Sequence, residues 1–207
     1  MQTSQRNNVL LMAASISGVV GPVTFTLGWI ILGFRINHYS PVRQAISELA
    51  RTGASTQLAM TLVFITYGVA LVAYAFGLRT LNRPASNVAF VQGIAVLGIA
   101  ASPLGSSTNR LHFIFAAITY ITLAALPLLT MPTLMSSKYA QVVSRLWFVA
   151  IAFPLLVSVI GPESADGLYQ RIGLTCGSAW IAWSAICLFV MKFLVGQAGI
   201  EPATKGL

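Results

Sequence analysis

Residues 57–78 read QLAMTLVFITYGVALVAYAFGL, an unbroken run without a single charged side chain. As a helix this run is about 33 Å long, enough to cross a hydrocarbon core of ~30 Å. Inside that core a lone segment satisfies its backbone only as a helix. Outward from it, apolar windows recur near 9–33, 88–104, 111–131, 146–160 and 172–195. The expected fold is all-α: a six-helix transmembrane bundle with a short interfacial amphipathic helix between spans 1 and 2. Residues 1–8 and 196–207 are expected as tails of one membrane domain over 9–195. Windows 88–104 and 146–160 are short for a span, so their helices extend into the flanks or run upright.

Composition supports the same class. Hydrophobic residues make up 57% of the 207 and charged residues 8%, with mean hydropathy +0.81. A soluble domain carries about 25% charged residues. The net charge of +8 raises the question of nucleic acid, but the basic residues stand singly at the ends of apolar blocks. That placement marks topology and headgroup contact, and no nucleic-acid partner is expected. The stretch MQTSQRNNVL leads into an apolar run too long for a signal-peptide core, so it reads as an uncleaved first span. Cys176 and Cys187 would lie about 16 Å apart on one helix, beyond the ~7 Å reach of a disulfide. Pro22, Pro103, Pro127 and Pro154 each kink or end a helix. Gly173 and Gly177 permit close helix contact, within the bundle more than between copies.

Lysine and arginine counts set the orientation. The N-tail, even loops and C-tail hold Arg6, Arg79, Arg83, Lys138, Arg145, Lys192 and Lys205; the odd loops hold Arg35, Arg43, Arg51, Arg110 and Arg171. By the positive-inside rule the chain sits in the cell membrane as a multi-pass protein with both termini cytoplasmic. Both histidines (His38, His112) and the acids Glu48, Glu163 and Asp166 then fall at the outer, odd-loop ends; Glu201 lies in the C-tail. No window carries a charge near its centre, which argues against an ion-coupled transporter. Mid-span polarity is limited to hydroxyls and amides such as Gln92, Thr119, Tyr120 and Ser178, which line a pocket or bond neighbouring helices.

The first loop contains the richest pattern. Ser40-Pro41 is a helix start, with Ser40 as N-cap and proline at the first position, and Gly53 suits the stop. Between them Val42, Ala45, Ile46 and Leu49 fall on one face and Arg43, Ser47, Glu48 and Arg51 on the other, an amphipathic helix lying at the interface. Arg43, Ser47 and Arg51 follow an i, i+4, i+8 spacing with Glu48 alongside. Two guanidiniums beside a hydroxyl and a carboxylate suit a phosphate or pyrophosphate head; ordinary headgroup contacts with a Glu48–Arg51 pair are the plainer reading. His112 falls in the first turn of the fourth helix, where the helix N-terminus disfavours imidazolium, leaving a base or ligand. Asp166 opens the sixth helix as a cap or as a free carboxylate, followed by Tyr169, Gln170 and Arg171.

At these segments the chain resembles a membrane family of bacteria and archaea catalogued as domain of unknown function 998. The resemblance rests on Tyr39-Ser40-Pro41 followed by Ile46-Ser47-Glu48-Leu49, on Leu111-His112, and on Gly167-Leu168-Tyr169-Gln170-Arg171. It covers essentially the whole chain, and it implies a six-helix membrane domain without an assigned activity. In that family an aspartate often follows a Phe-Pro pair near the end of the third span. Here the region reads Ala101-Ser-Pro-Leu-Gly105, without an acid.

Three function classes follow. The first is an outward-facing pocket binding a lipid, isoprenoid or other amphiphile, extending to a membrane-embedded cyclase or isomerase. Its catalytic candidates are Glu48, His112 and Asp166; its substrate- and anion-binding candidates are Tyr39, Ser40, Arg43, Ser47, Arg51, Tyr169, Gln170 and Arg171. Trp29, Tyr39, Phe113 and Tyr169 wall an apolar substrate or form the ordinary interfacial belt. The second is a non-enzymatic regulator or small subunit of a membrane complex, and the third an uncoupled facilitator. Expected partners are membrane lipids and an amphiphilic ligand, with a protein partner or homodimer left open. No metal or other cofactor is expected: Cys/His spacing gives no zinc site, two histidines cannot serve several haems, and there is no phosphate loop or nucleophile elbow.

Overall fold

The structure, a computed structural model, describes residues 2–135 and 137–190, with side chains from Val9 onward. Lys192, Glu201, Lys205 and the expected tail 196–207 lie outside the described residues. Six helices follow in order: α1 (Gln2–Gly33), α2 (Gln57–Leu78), α3 (Arg83–Ala101), α4 (Asn109–Leu134), α5 (Ala140–Ile160) and α6 (Asp166–Phe189). All six are long and apolar enough to cross a membrane, with the α1 span counted from Val9. This is a multi-pass membrane protein. The helix of α1 begins at Gln2, ahead of that apolar span and within the stretch expected as a tail. The two short windows extend as anticipated, α3 back to Arg83 and α5 back to Ala140.

Outward and inward faces differ in size and polarity rather than in hydrophobicity. Met12, Ile16, Val20, Val23, Leu27 and Ile31 recur at three- to four-residue spacing along α1, and all are exposed. On a soluble protein that stripe would be polar; here it faces lipid. Inside, Trp180, Tyr74, Met60, Leu71, Leu123 and Ile151 are sealed from solvent. Each helix packs on the next in sequence, and α6 returns against α1 to close the ring. Buried polar groups bond across it. Tyr74 Oη lies 2.6 Å from Ser184 Oγ, and Trp180 Nε1 donates to Thr130 Oγ1 at 3.0 Å.

Small residues set the closest helix approaches. Gly173 faces Leu155 on α5 and Gly177 faces Leu123 on α4, so the glycine pair packs inside the bundle. Pro22, Pro127 and Pro154 lie within helices, as does Pro132, while Pro103 stands just past the end of α3. At the other end of α3, Asn82 accepts from the Ala85 amide at 2.9 Å and so caps the helix.

The first loop departs from expectation. Instead of one amphipathic α-helix over 40–53 it forms a single turn at Ser40–Gln44, an extended Ala45, and a short 3-10 helix over Ile46–Ala50. The helix-start signal does act: Ser40 N donates to Gln44 Oε1 at 2.7 Å, and Gln44 N donates to Ser40 O at 2.8 Å. Propagation stops because the next carbonyls are taken elsewhere. Val42 O accepts from Leu168 N at 2.9 Å, and the carbonyls of Pro41 and Gln44 accept from Arg171. The 3-10 helix is also sunk into the bundle rather than laid on it, with Ile46, Ser47 and Leu49 buried. Gly53, at φ +85°, ends the segment as expected.

These contacts place the first, third and fifth loops at one end of the bundle. Thr52 N donates to Leu104 O at 2.9 Å, joining loop 1 to loop 3, as the Leu168–Val42 bond joins it to α6. A Cβ at Gly173 would strike Leu155, so Gly173→Val is expected to cost about 1–3 kcal/mol of stability. A thermal melt in detergent reads this, and an unchanged midpoint would show that α5 and α6 do not rely on the close approach.

Candidate functional site

At the odd-loop end lies a cavity of about 640 Å³, within the usual range for a small-molecule site. Loop 1 supplies Arg43, Gln44, Ser47, Glu48 and Arg51 to its walls; α4 supplies His112 and Phe113, and α6 supplies Asp166 and Gln170. Seven of the eleven catalytic and binding candidates thus meet around one space: Arg43, Ser47, Glu48, Arg51, His112, Asp166 and Gln170. Tyr39, Ser40, Tyr169 and Arg171 are not among the walls.

His112 is buried, and its Nδ1 lies 2.8 Å from the Ser102 carbonyl oxygen. A carbonyl only accepts, so in the neutral ring Nδ1 carries the proton and Nε2 keeps a lone pair. The bend in chain after α3 therefore sets the tautomer of a ring on α4. Glu48 and Arg51, three residues apart, form an ion pair in which Arg51 Nη2 donates to Glu48 Oε1 at 2.7 Å and Arg51 Nε to Glu48 Oε2. Both carboxylate oxygens are occupied, and the bond to Glu48 raises the Arg51 guanidinium above its ordinary value. Arg43 makes no ion pair among the described residues and stays exposed.

Asp166 opens α6 without capping it. The capping position is Ala165, with no side-chain bond to the helix amides, and Asp166 Oδ1 is buried without a partner. The capping expectation is thus corrected: Asp166 stands one place too late, inside the helix.

Arg171 does different work from anion binding. Its Nη1 donates to the carbonyls of Pro41 at 2.6 Å, Gln44 at 2.8 Å and Gly167 at 2.9 Å, and Nη2 donates to Tyr39 Oη. The guanidinium also lies 5.2 Å from the Trp29 ring centre and 5.5 Å from that of Tyr39. Burial pushes the Tyr39 phenol above its ordinary value, against the pull of the Arg171 cation, so its proton stays on to bond Ala45 O at 3.1 Å. Gly167 permits this closeness, since a Cβ there would strike the Pro41 and Gln44 carbonyls. Trp29 and Tyr39, expected as substrate walls, are contacts of this clamp.

Gln170 is engaged at both ends as well. Its Oε1 accepts from Ile46 N at 2.7 Å while its Nε2 donates to Tyr120 Oη at 2.7 Å, forming a floor beneath the cavity. Sequence reading missed Gln44, Leu104, Ala116, Ala117, Ser158 and Val159. Apolar and small residues carry no chemical signal, although Ser158, next to the end of α5, had its position as one. Leu104, at the place where the family resemblance would put an acid, turns an apolar side chain to the cavity.

A family model described as "Protein of unknown function (DUF998)" matches residues 19–187. The chain belongs to this family. The match runs from the middle of α1 nearly to the end of α6, so it takes in loop 1, His112 and the Gly167–Arg171 turn. No curated protein and no solved structure matches the chain. In this member of the DUF998 family, Arg171→Ala would leave three carbonyls and a phenol without their donor. The expected cost is about 3 kcal/mol, with Arg171→Lys intermediate because an ammonium lacks the planar fork. Thermal melting of the purified variants checks this, and a wild-type midpoint for Arg171→Ala would show that the clamp holds nothing.

Proposed function

We propose that this protein binds a lipid, isoprenoid or similar amphiphile in the odd-loop cavity, polar head toward the loops and apolar part against the bilayer. The observation that supports this most is the cavity's two-sided lining. Charged and hydrogen-bonding groups come from loop 1, His112 and Asp166, while Phe113, Ala117 and Val159 line another part. Phe113 and Val159 are more than half exposed on the lipid-facing surface, so the site opens sideways as well as endwise. A water-soluble ligand would gain nothing from that opening, whereas an amphiphile uses both parts.

An enzymatic role at the same site is the second reading, favoured by the fixed His112 tautomer. A lone pair on Nε2 beside carboxylates is the equipment of general acid–base catalysis, as an isomerase or cyclase would need. Asp166 suits the acid–base partner better than Glu48, because Arg51 occupies both Glu48 oxygens. Replacing His112 with Gln and Asp166 with Asn separates catalysis from packing. A catalytic role predicts loss of turnover with abundance and melting intact; a packing role predicts lost abundance.

We place the odd-loop end outside and the termini in the cytoplasm, on the seven-to-five excess of Lys and Arg at the even end. In a cysteine-free background, Asn37→Cys and Glu163→Cys should react with an impermeant maleimide in intact cells, and Ser137→Cys only after permeabilisation. The reverse pattern would invert the orientation. For binding, native mass spectrometry of the detergent-purified protein should find a retained amphiphile that is lost in His112→Gln/Asp166→Asn. Its absence from the wild-type protein would end the binding proposal.

A further inference from the structure

The cavity's polar groups are not a neutral mixture, and their sorting identifies the head group. This step rests on the amphiphile reading above and sharpens it. Several groups already have partners and recognise little more. Arg51 and Glu48 satisfy each other, and Gln170 has both ends of its amide occupied. Besides the Ser47 hydroxyl and the Gln44 amide nitrogen, which are neutral, three groups remain that can sort a head group. His112 is 3% exposed, with Nε2 left as an acceptor once Nδ1 is committed to Ser102. Asp166 lines the same cavity with Oδ1 buried and lacking any donor. Both are acceptors, and for the buried Asp166 oxygen the lack of a donor is costly. The third is the Arg43 guanidinium, a cation with no counter-charge among the described residues.

A plain anion answers Arg43 but would face the Asp166 carboxylate and the His112 lone pair. A plain cation answers Asp166 and leaves Arg43 unmatched. We infer that the cavity recognises a head group carrying N–H or O–H donors next to a phosphate, with the donors toward Asp166 and His112 and the phosphate toward Arg43. Phosphoethanolamine is the simplest example. A quaternary head of equal charge, such as phosphocholine, lacks the donors and leaves both acceptors unsatisfied.

The test compares two lipids that differ in that one property. Full-length protein in nanodiscs of mixed phosphatidylethanolamine and phosphatidylcholine is released into detergent, and the retained lipid is identified by native mass spectrometry. Retention of the ethanolamine lipid is expected to exceed that of the choline lipid by about tenfold, the worth of one hydrogen bond to a charged group. Asp166→Asn should reduce this preference, and Arg43→Gln should weaken both lipids alike. Equal retention of the two lipids would overturn the donor inference while leaving amphiphile binding intact. Retention of neither would overturn the head-group inference, and the amphiphile reading would fall with it only if the purified protein also retains no other amphiphile. An undiminished preference in Asp166→Asn would move the head group away from this cavity. If that variant fails to fold, a mono- and dimethylated ethanolamine series on the wild-type protein carries the test, because retention should fall as each N–H is removed. A flat series would refute the proposal. Soluble O-phosphoethanolamine separates the sources: displacement of the lipid supports the same chemistry with a free ligand, and retention in its presence supports a membrane lipid.

Discussion

A buried guanidinium holds loop 1 across the end of the bundle, and the cavity exists because of it. Taking an arginine out of water costs several kcal/mol unless its donors are met. Arg171 meets the cost with four acceptors and two aromatic faces, Nη1 sharing its two hydrogens among three carbonyls and Nε unpartnered among the described residues. Charge-assisted bonds contribute about 1.5–3 kcal/mol each, so the balance favours the closed arrangement. The partners are mostly backbone carbonyls of loop 1. The interaction therefore fixes the course of the chain rather than the position of one side chain.

From that course the site follows. Because Pro41, Val42 and Gln44 give their carbonyls to α6, the helix that begins at Ser40 cannot propagate, and Ala45 turns extended. The extended residue directs Ile46 N to Gln170 and drops Ile46 and Leu49 into the core. Glu48 and Arg51 are then carried to the cavity wall on a 3-10 turn whose three-residue repeat sets them side by side. One guanidinium acts as structure so that the other two, on Arg43 and Arg51, can border the cavity.

The bundle was legible in the sequence because the bilayer is a severe solvent. Twenty-odd apolar residues without charge have few alternatives to a spanning helix, and Gln57–Leu78 appears with the bounds its composition gave. The clustering of odd loops was legible too, since alternating spans must return to the same side. Loop 1 was not. Its pattern of Ser-Pro start, amphipathic spacing and Gly stop is internally consistent, and local signals favour a helix. What overrides them is Arg171, well over a hundred residues along the chain, and a sequence read locally holds no sign of that partner. Arg171 itself was legible as a cation near the site but not as a clamp, because the same fork suits a phosphate and a set of carbonyls equally.

Depth is the remaining constraint. The Gln170–Tyr120 bond and Ser47 separate the odd-loop cavity from a void of about 30 Å³ below, walled by Phe25, Phe64 and Tyr67. Phe25 and Tyr67 stack there at 4.7 Å, closing the path with aromatic faces. Formal charge therefore ends one or two turns into the helices, and the polar groups that lie deeper among the described residues, such as Gln92, Thr130 and Ser184, are neutral. That boundary matches the profile of a bilayer, in which a charged head near the surface costs little and one at the centre costs much. An amphiphile entering between α4 and α5 could keep its apolar part in hydrocarbon throughout and bring only its head under loop 1. The proposed binding needs no polar path across the membrane. A site of this shape suits recognition or chemistry at one surface.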